Sequence, residues 1–148
     1  MKYLILSVLF ISCTNNKPKP KEISNYKELK TKMLVSYNED NYQETLKYIH
    51  QLLQIDTTDG EVYFTKGYCE SGLFNTTQST KAYSKAVELN YRKVDAVFNI
   101  GTNALLNCDS LAVIYINQCL AMDPNYEPGK VQLDVIKQHP SKNYGHCK

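Results

Sequence analysis

Apolar residues recur at helical spacing along most of the chain beyond about residue 24. In the clearest stretch, residues 42–53, polar and charged side chains separate apolar positions that lie three or four residues apart. No segment shows strand-like alternation bounded by hairpin turns. The pattern predicts an all-α fold of amphipathic helices. The apolar positions of the clearest stretch are Tyr42, Leu46, Ile49, Leu52 and Leu53.

The apolar pattern also repeats at a nearly fixed distance. Met33, Gly67 and Gly101 are spaced by 34 residues. Three similar segments close successive repeats at residues 52–57, 86–91 and 119–124, with spacings of 34 and 33 residues. Self-similarity at such a period is typical of stacked helical units, in which each repeat buries its apolar face against its neighbours.

This repeat resembles the tetratricopeptide (TPR) repeat, a helix–turn–helix unit of 34 residues. The resemblance covers about residues 24–138. It implies an all-α, TPR-like solenoid of about three repeats plus a C-terminal capping helix. The residues that match the family's large, glycine, small and proline positions are Tyr63, Gly67, Ser79 and Ala86 in the second repeat, and Val97, Gly101, Ala112, Cys119 and Pro124 in the third.

Capping residues indicate where the helices begin and end. Gly72 and Asn90 stand at expected helix ends, because both tolerate left-handed backbone. The capping helix should begin at Glu127–Pro128 and end before Pro140, which leaves a polar tail at residues 139–148. Three pairs place an N-cap acceptor three residues before an acid or amide: Asp40 with Gln43, Thr58 with Glu61, and Asn75 with Gln78.

The first thirteen residues have the pattern of a targeting segment. A single Lys2 precedes an apolar run over residues 4–11 that is too short to span a bilayer. Ser12–Cys13 then resembles the lipobox of bacterial lipoproteins, in a loose form similar to that of the Bacteroidota. The resemblance implies a signal peptide over residues 1–12, acylation of Cys13 (palmitate or a similar chain), and attachment to the cell envelope, at the periplasmic face of the outer membrane. An ordinary secretory signal is the alternative.

The segment after Cys13 lacks the apolar residues needed to pack a core. Residues 14–22 read TNNKPKPKE, with three lysines and two prolines. Such a composition favours an extended, solvated chain. We therefore expect residues 13–23 to be a tether between the membrane and the helical domain.

Charge and motifs exclude several classes of function. Seventeen basic residues stand against fifteen acidic ones, which is too balanced for a protein that neutralises many phosphates of a nucleic acid. No phosphate-binding loop or hydrolase motif is present. His50 should be solvated, and His139, His146 and Cys147 are too few for a structural zinc site. We expect no catalytic activity, no metal, no cofactor and no small-molecule substrate.

The TPR resemblance implies a groove lined mainly by the first helix of each repeat. Aromatic residues on this groove would form a binding surface, although Phe64 and Phe98 could instead belong to the core. The family's carboxylate clamp is not matched, since only Lys30 fits it. The candidate groove residues are Lys27, Lys30, Tyr37, Glu61, Phe64, Tyr68, Asp95 and Phe98.

Together these features indicate a membrane-anchored, non-catalytic adaptor that binds a peptide or protein segment in its groove. The alternative is a structural subunit of an envelope assembly or secretion complex, bound through its convex or end surface. A redox or metal-handling protein built on the cysteines is a third hypothesis.

Four cysteines remain after Cys13. Cys69 and Cys119 occupy small, packed positions of the repeat, so we expect free, buried thiols there. In a stacked array the end helix would finish beside the turn that carries Cys108. We therefore predict a Cys108–Cys147 disulfide in the oxidising envelope. The alternative is that all four thiols stay reduced.

Overall fold

The computed structural model describes residues 20–107 and 110–138, with side chains from Ser24 onward. These residues form seven α-helices and no strand, which confirms the predicted all-α fold. The helices are α1 (Pro20–Asn38), α2 (Tyr42–Ile55), α3 (Gly60–Gly72), α4 (Thr76–Glu88), α5 (Lys93–Leu106), α6 (Leu111–Met122) and α7 (Glu127–Gln138).

The helices form antiparallel pairs that stack along the chain, with α1 on α2, α3 on α4, α5 on α6, and α7 against α6. Close pairing depends on small residues. A Cβ atom on Gly67 would lie 2.8 Å from the ring of Tyr83, and one on Gly101 would lie 2.9 Å from Cδ1 of Ile116. The small residues predicted to allow this approach are fully buried, as expected: Ser79, Ala86 and Ala112.

Two clusters of buried residues form much of the core of the described chain. Its first part joins α1, α2 and α3 through Leu29, Met33, Ile49, Leu52 and Val62. Its second part joins α3, α4 and α5, and includes two aromatic rings that meet edge to face. The buried residues of this second part are Phe64, Tyr83, Ala86, Ala96 and Ile100.

Two of the predicted N-caps are each wrong by one residue. The cap of α2 is Asn41, whose side chain accepts a hydrogen bond from the backbone N–H of Glu44. Asp40 has a φ of 53°, a left-handed conformation that an N-cap does not adopt. The cap of α3 is Asp59, whose side chain accepts hydrogen bonds from the backbone N–H groups of α3, whereas the Thr58 N–H and hydroxyl donate to Asp56.

Helix α3 ends at Gly72 and α4 ends just before Asn90, as predicted, but only one of these two residues has left-handed backbone. Asn90 is left-handed, with a φ of 58°, as its position after α4 predicts. At the end of α3 the left-handed residue is Phe74, with a φ of 61°, and its side chain is 82% exposed. Gly72 is needed for space instead, since a Cβ atom there would collide with the ring of Tyr42.

The first helix begins earlier than expected, whereas the last one, Glu127–Gln138, has the predicted bounds. Helix α1 begins at Pro20, inside the segment predicted as a tether, because proline is favourable in a first helical turn. Helix α7 buries Gly129 and Ile136, but Val131 and Val135 on its other face are exposed. No helix among the described residues is long and apolar enough to cross a membrane. The signal peptide, Cys13, Cys108, Cys147 and the tail lie outside the described residues.

The Asp59 cap predicts a measurable difference between two helix starts. Asp59 accepts hydrogen bonds from the backbone N–H groups of Glu61 and Val62, whereas Asn75, the N-cap of α4, makes no such bond. Asp59→Ala should therefore lower the free energy of unfolding by about 1–2 kcal/mol, and Asn75→Ala by less than about 0.5 kcal/mol. Urea unfolding monitored by circular dichroism measures both, and equal losses would contradict the role of the cap.

Candidate functional site

The first helices of the three pairs, α1, α3 and α5, share one face of the stack, which we call the groove face. Direct contacts join α1 and α3 across this face. The rings of Tyr37 on α1 and Tyr68 on α3 meet edge to face at 5.3 Å, and Tyr42 approaches Tyr68 at 6.0 Å. Tyr68 is 42% exposed and Tyr37 is half-buried. The structure thus brings two of the predicted groove aromatics together at the surface.

A cavity of about 300 Å³ lies among α4, α5 and α6, away from the tyrosines. A different cavity, of about 230 Å³, lies beside the tyrosines on the groove face, and no charged residue lines it. The candidate groove residues predicted from the sequence did not include Tyr83 or Asn99. Tyr83 could have been anticipated from Gly67, since a helical glycine opposite a large ring indicates close packing. The lining residues are Tyr42, Tyr68, Ser71, Gly72, Tyr83 and Asn99.

The charged groove residues near α1 are paired within the molecule. The Lys30 ammonium lies 2.6 Å from Asp59 Oδ2 and 2.7 Å from Glu61 Oε2. The Tyr26 hydroxyl also donates to Asp59, at 2.7 Å. Burial would raise the pKa of Asp59, but the hydrogen bonds from Lys30 and Tyr26 hold it below its usual value. Lys27, in contrast, is exposed.

A second set of contacts joins α5 to the start of α7. Asp95 lies 3.0 Å from the Arg92 guanidinium and accepts a hydrogen bond of 2.8 Å from the Tyr126 hydroxyl. The Phe98 ring meets the Tyr126 ring edge to face at 5.5 Å, and Phe98 is half-buried. Burial, followed by the bond to Asp95, raises the pKa of Tyr126. Asp95 therefore links α5 to the residue that precedes α7.

Phe64 is not a groove surface residue, and that prediction is wrong. Its side chain is 7% exposed and packs edge to face against Tyr83 and Tyr91. The Arg92 guanidinium covers the remaining face of the ring, 4.5 Å from its centre. The turn between α4 and α5 produces this cover, because Arg92 is left-handed, with a φ of 41°. Phe64 belongs to the core.

Cys69 and Cys119 are free and buried, as the repeat positions predict. Burial raises the pKa of the Cys69 thiol to about 12 and that of Cys119 to about 11. Both thiols therefore stay protonated at neutral pH and are poor nucleophiles. His50 is exposed. The described residues contain no group of histidine, cysteine or acidic side chains arranged to hold a metal ion.

No protein-family model matches the sequence, and no curated protein matches it either. Solved structures do match. The Arabidopsis OM64 TPR domain is 16% identical, over 80% of this chain and 98% of that domain, with a TM-score of 0.70. The N-terminal domain of stress-induced protein-1 (STI-1) from C. elegans is 15% identical, over 80% and 99% of the two chains, with a TM-score of 0.69.

The P58(IPK) TPR domain has a TM-score of 0.74 at 15% identity. It matches over 82% of this chain, which spans about a third (34%) of the length of that domain. At such low identity these likenesses concern the fold alone. They confirm the predicted architecture: the described chain is an all-α, TPR-like helical solenoid.

Proposed function

We propose that the chain is a non-catalytic adaptor of a bacterial envelope that holds a peptide or protein segment on its groove face. The observation that carries the proposal is the surface formed by Tyr37, Tyr68 and the adjoining uncharged cavity on a TPR-like fold. Tyrosine is a common anchor in protein interfaces, since its ring gives a large contact area and its hydroxyl a hydrogen bond. The partner's identity is open to experiment.

The paired charges support a segment held by uncharged contacts. Lys30, Glu61 and Asp95 already have oppositely charged partners within the chain. A ligand that used them would have to break these pairs. Affinity should therefore come from the tyrosines and from neutral hydrogen bonds, and it should depend only weakly on salt concentration.

Tyr68→Ala is expected to separate binding from stability. Because Tyr68 is 42% exposed, its loss should change the free energy of unfolding by no more than about 1 kcal/mol. As a binding anchor it should weaken the partner's affinity at least about tenfold. A cross-linked pull-down from intact envelopes identifies the partner, and titration of the purified pair gives the affinity. Tyr48→Ala on α2 is the matched control, and equal binding by both variants would contradict the groove site.

We also propose that Cys13 carries the lipid anchor. Cys13→Ala removes the thiol that would be acylated, so the variant should keep its signal peptide or lose its membrane attachment. Mass spectrometry of the membrane and soluble fractions measures both outcomes. A variant that still partitions with membranes, processed and without a change of mass beyond the substitution itself, would overturn the anchor.

The alternative function, a subunit bound through the outer helices, is favoured by the other cavity. Its volume is about 300 Å³, and an apolar side chain of a partner could enter it. Leu111→Ser at its rim should weaken the assembly if this surface binds, whereas Tyr68→Ala should not. The lining residues are Thr77, Thr80, Lys81, Ile100, Ala104, Asn107, Leu111 and Tyr115.

A further inference from the structure

The groove-face cavity has an unusual chemical composition, because it is polar without being charged. Tyr42, Tyr68, Ser71 and Tyr83 contribute hydroxyl groups, and Asn99 contributes a carboxamide. Hydroxyls and carboxamides can both donate and accept hydrogen bonds.

The surroundings disfavour a charged ligand group. No lysine, arginine, aspartate or glutamate lines the cavity. Arg92 is held between Asp95 and the Phe64 ring. Asp40, next to Tyr42 in space, already accepts that hydroxyl's hydrogen bond at 3.0 Å. An ammonium or carboxylate would therefore lose its hydration without gaining a counter-charge in the cavity.

Asn99 is the group that most needs a partner. Its side chain makes no hydrogen bond to any residue that the structure describes, and it is half-buried. The carboxamide of Asn103, one turn further along α5, is by contrast fully engaged with Ser71, Ser79 and Thr80. A ligand in the cavity would displace water from Asn99 and must replace the hydrogen bonds that this water made.

We propose that this cavity is a subsite for an uncharged carboxamide side chain, a glutamine or asparagine of the segment bound on the groove face. This inference rests on the proposed function and specifies its ligand. A carboxamide offers two donors and an acceptor, which complement Asn99 and the hydroxyls. An apolar side chain would leave the polar lining without partners.

The test uses three blocked amino acids that differ only in the side chain. N-acetyl-glutamine-methylamide, the glutamate analogue and the leucine analogue are each titrated into the full chain labelled with ¹⁵N. The glutamine compound should shift the side-chain NH₂ signals of Asn99 and bind at least roughly fivefold more tightly than the other two. Equal shifts for all three compounds, or none with the glutamine compound, would overturn the subsite.

Matched variants establish the location. Asn99→Leu should abolish the preference for the glutamine compound, whereas Asn117→Leu, at an exposed position on α6, should retain it. Because Asn99 has no hydrogen bond to a described residue, both variants should melt within a few degrees of the unchanged chain. A preference for glutamine that survives Asn99→Leu would place the binding elsewhere and overturn the proposal.

A second measurement distinguishes this inference from the proposed function. A random twelve-residue peptide library is selected on the full chain, and enriched peptides are synthesised with each glutamine or asparagine changed to leucine. The subsite is supported if one such change abolishes binding to the unchanged chain but does not alter binding to the Asn99→Leu variant. Peptides that bind on the groove face without any carboxamide overturn the subsite and leave the adaptor standing. If no peptide is enriched, the adaptor hypothesis fails and the subsite fails with it.

Discussion

Asn103→Ala is expected to lower the free energy of unfolding by about 2–3 kcal/mol, since it removes a buried hydrogen-bonding group and leaves a small cavity. Asn103 is 1% exposed. Its Nδ2 donates to Ser79 Oγ at 2.8 Å and to Thr80 Oγ1 at 3.2 Å, and its Oδ1 accepts from Ser71 Oγ at 3.2 Å. Ser79 in turn donates to the carbonyl of Gly67 at 2.7 Å. One side chain thus joins α3, α4 and α5.

Asn107→Ala is the matched control, because it changes the same residue type one turn later on an exposed surface. Asn107 accepts a single hydrogen bond of 2.9 Å from Thr76, so its loss should cost less than about 1 kcal/mol. Urea unfolding followed by circular dichroism gives both values, and an unchanged m-value shows that the comparison is valid. Similar losses for the two variants would show that the buried hydrogen bonds of Asn103 stabilise the protein no more than the single exposed hydrogen bond of Asn107.

Gly67→Ala is expected to destabilise the protein by about 1–3 kcal/mol, although alanine is the better helix former by about 1 kcal/mol. The new Cβ atom would lie 2.8 Å from the Tyr83 ring. That ring is fully buried and packs against Phe64, so it has no room to withdraw. Overpacking should therefore outweigh helix propensity.

A double-mutant cycle tests the cause of this loss. Tyr83→Leu removes the ring and is itself destabilising. In the Tyr83→Leu background the cost of Gly67→Ala should fall to near zero or change sign, because the colliding atoms are gone. Thermal unfolding of the four proteins supplies the cycle. Additive effects would mean that the ring is not the obstacle.

The repeat could be recognised in the sequence because close helix packing constrains residue type. Gly67, Ser79 and Ala86 face neighbours that leave no room for larger groups, so the pattern stays visible without any structure. The helix caps were harder to predict. Thr58 and Asp59 are adjacent acceptors, and local rules do not choose between them. Asp59 is also bound by Tyr26 and Lys30, which lie 33 and 29 residues away in sequence, and such distant contacts are not visible in the local pattern.

The candidate site was only partly predictable, because it also depends on contacts that local sequence patterns do not show. Tyr68 was anticipated because its position is not one that packs between helices. The burial of Phe64 depends on the left-handed backbone of Arg92, which no sequence rule predicts for an arginine. Lys30 pairs with Asp59, and Asp95 accepts a hydrogen bond from Tyr126; both contacts join neighbouring repeats. Whether the groove face binds a partner stays a prediction.

The order of packing along the stack has a consequence for how the chain folds. Each described helix packs mainly against the helix before it and the helix after it. Native contacts therefore close short loops, whose entropic cost is small, and chains with such local contacts fold quickly. Folding can begin at any helix pair and extend in both directions, while unfolding can begin at either end without first disrupting the middle.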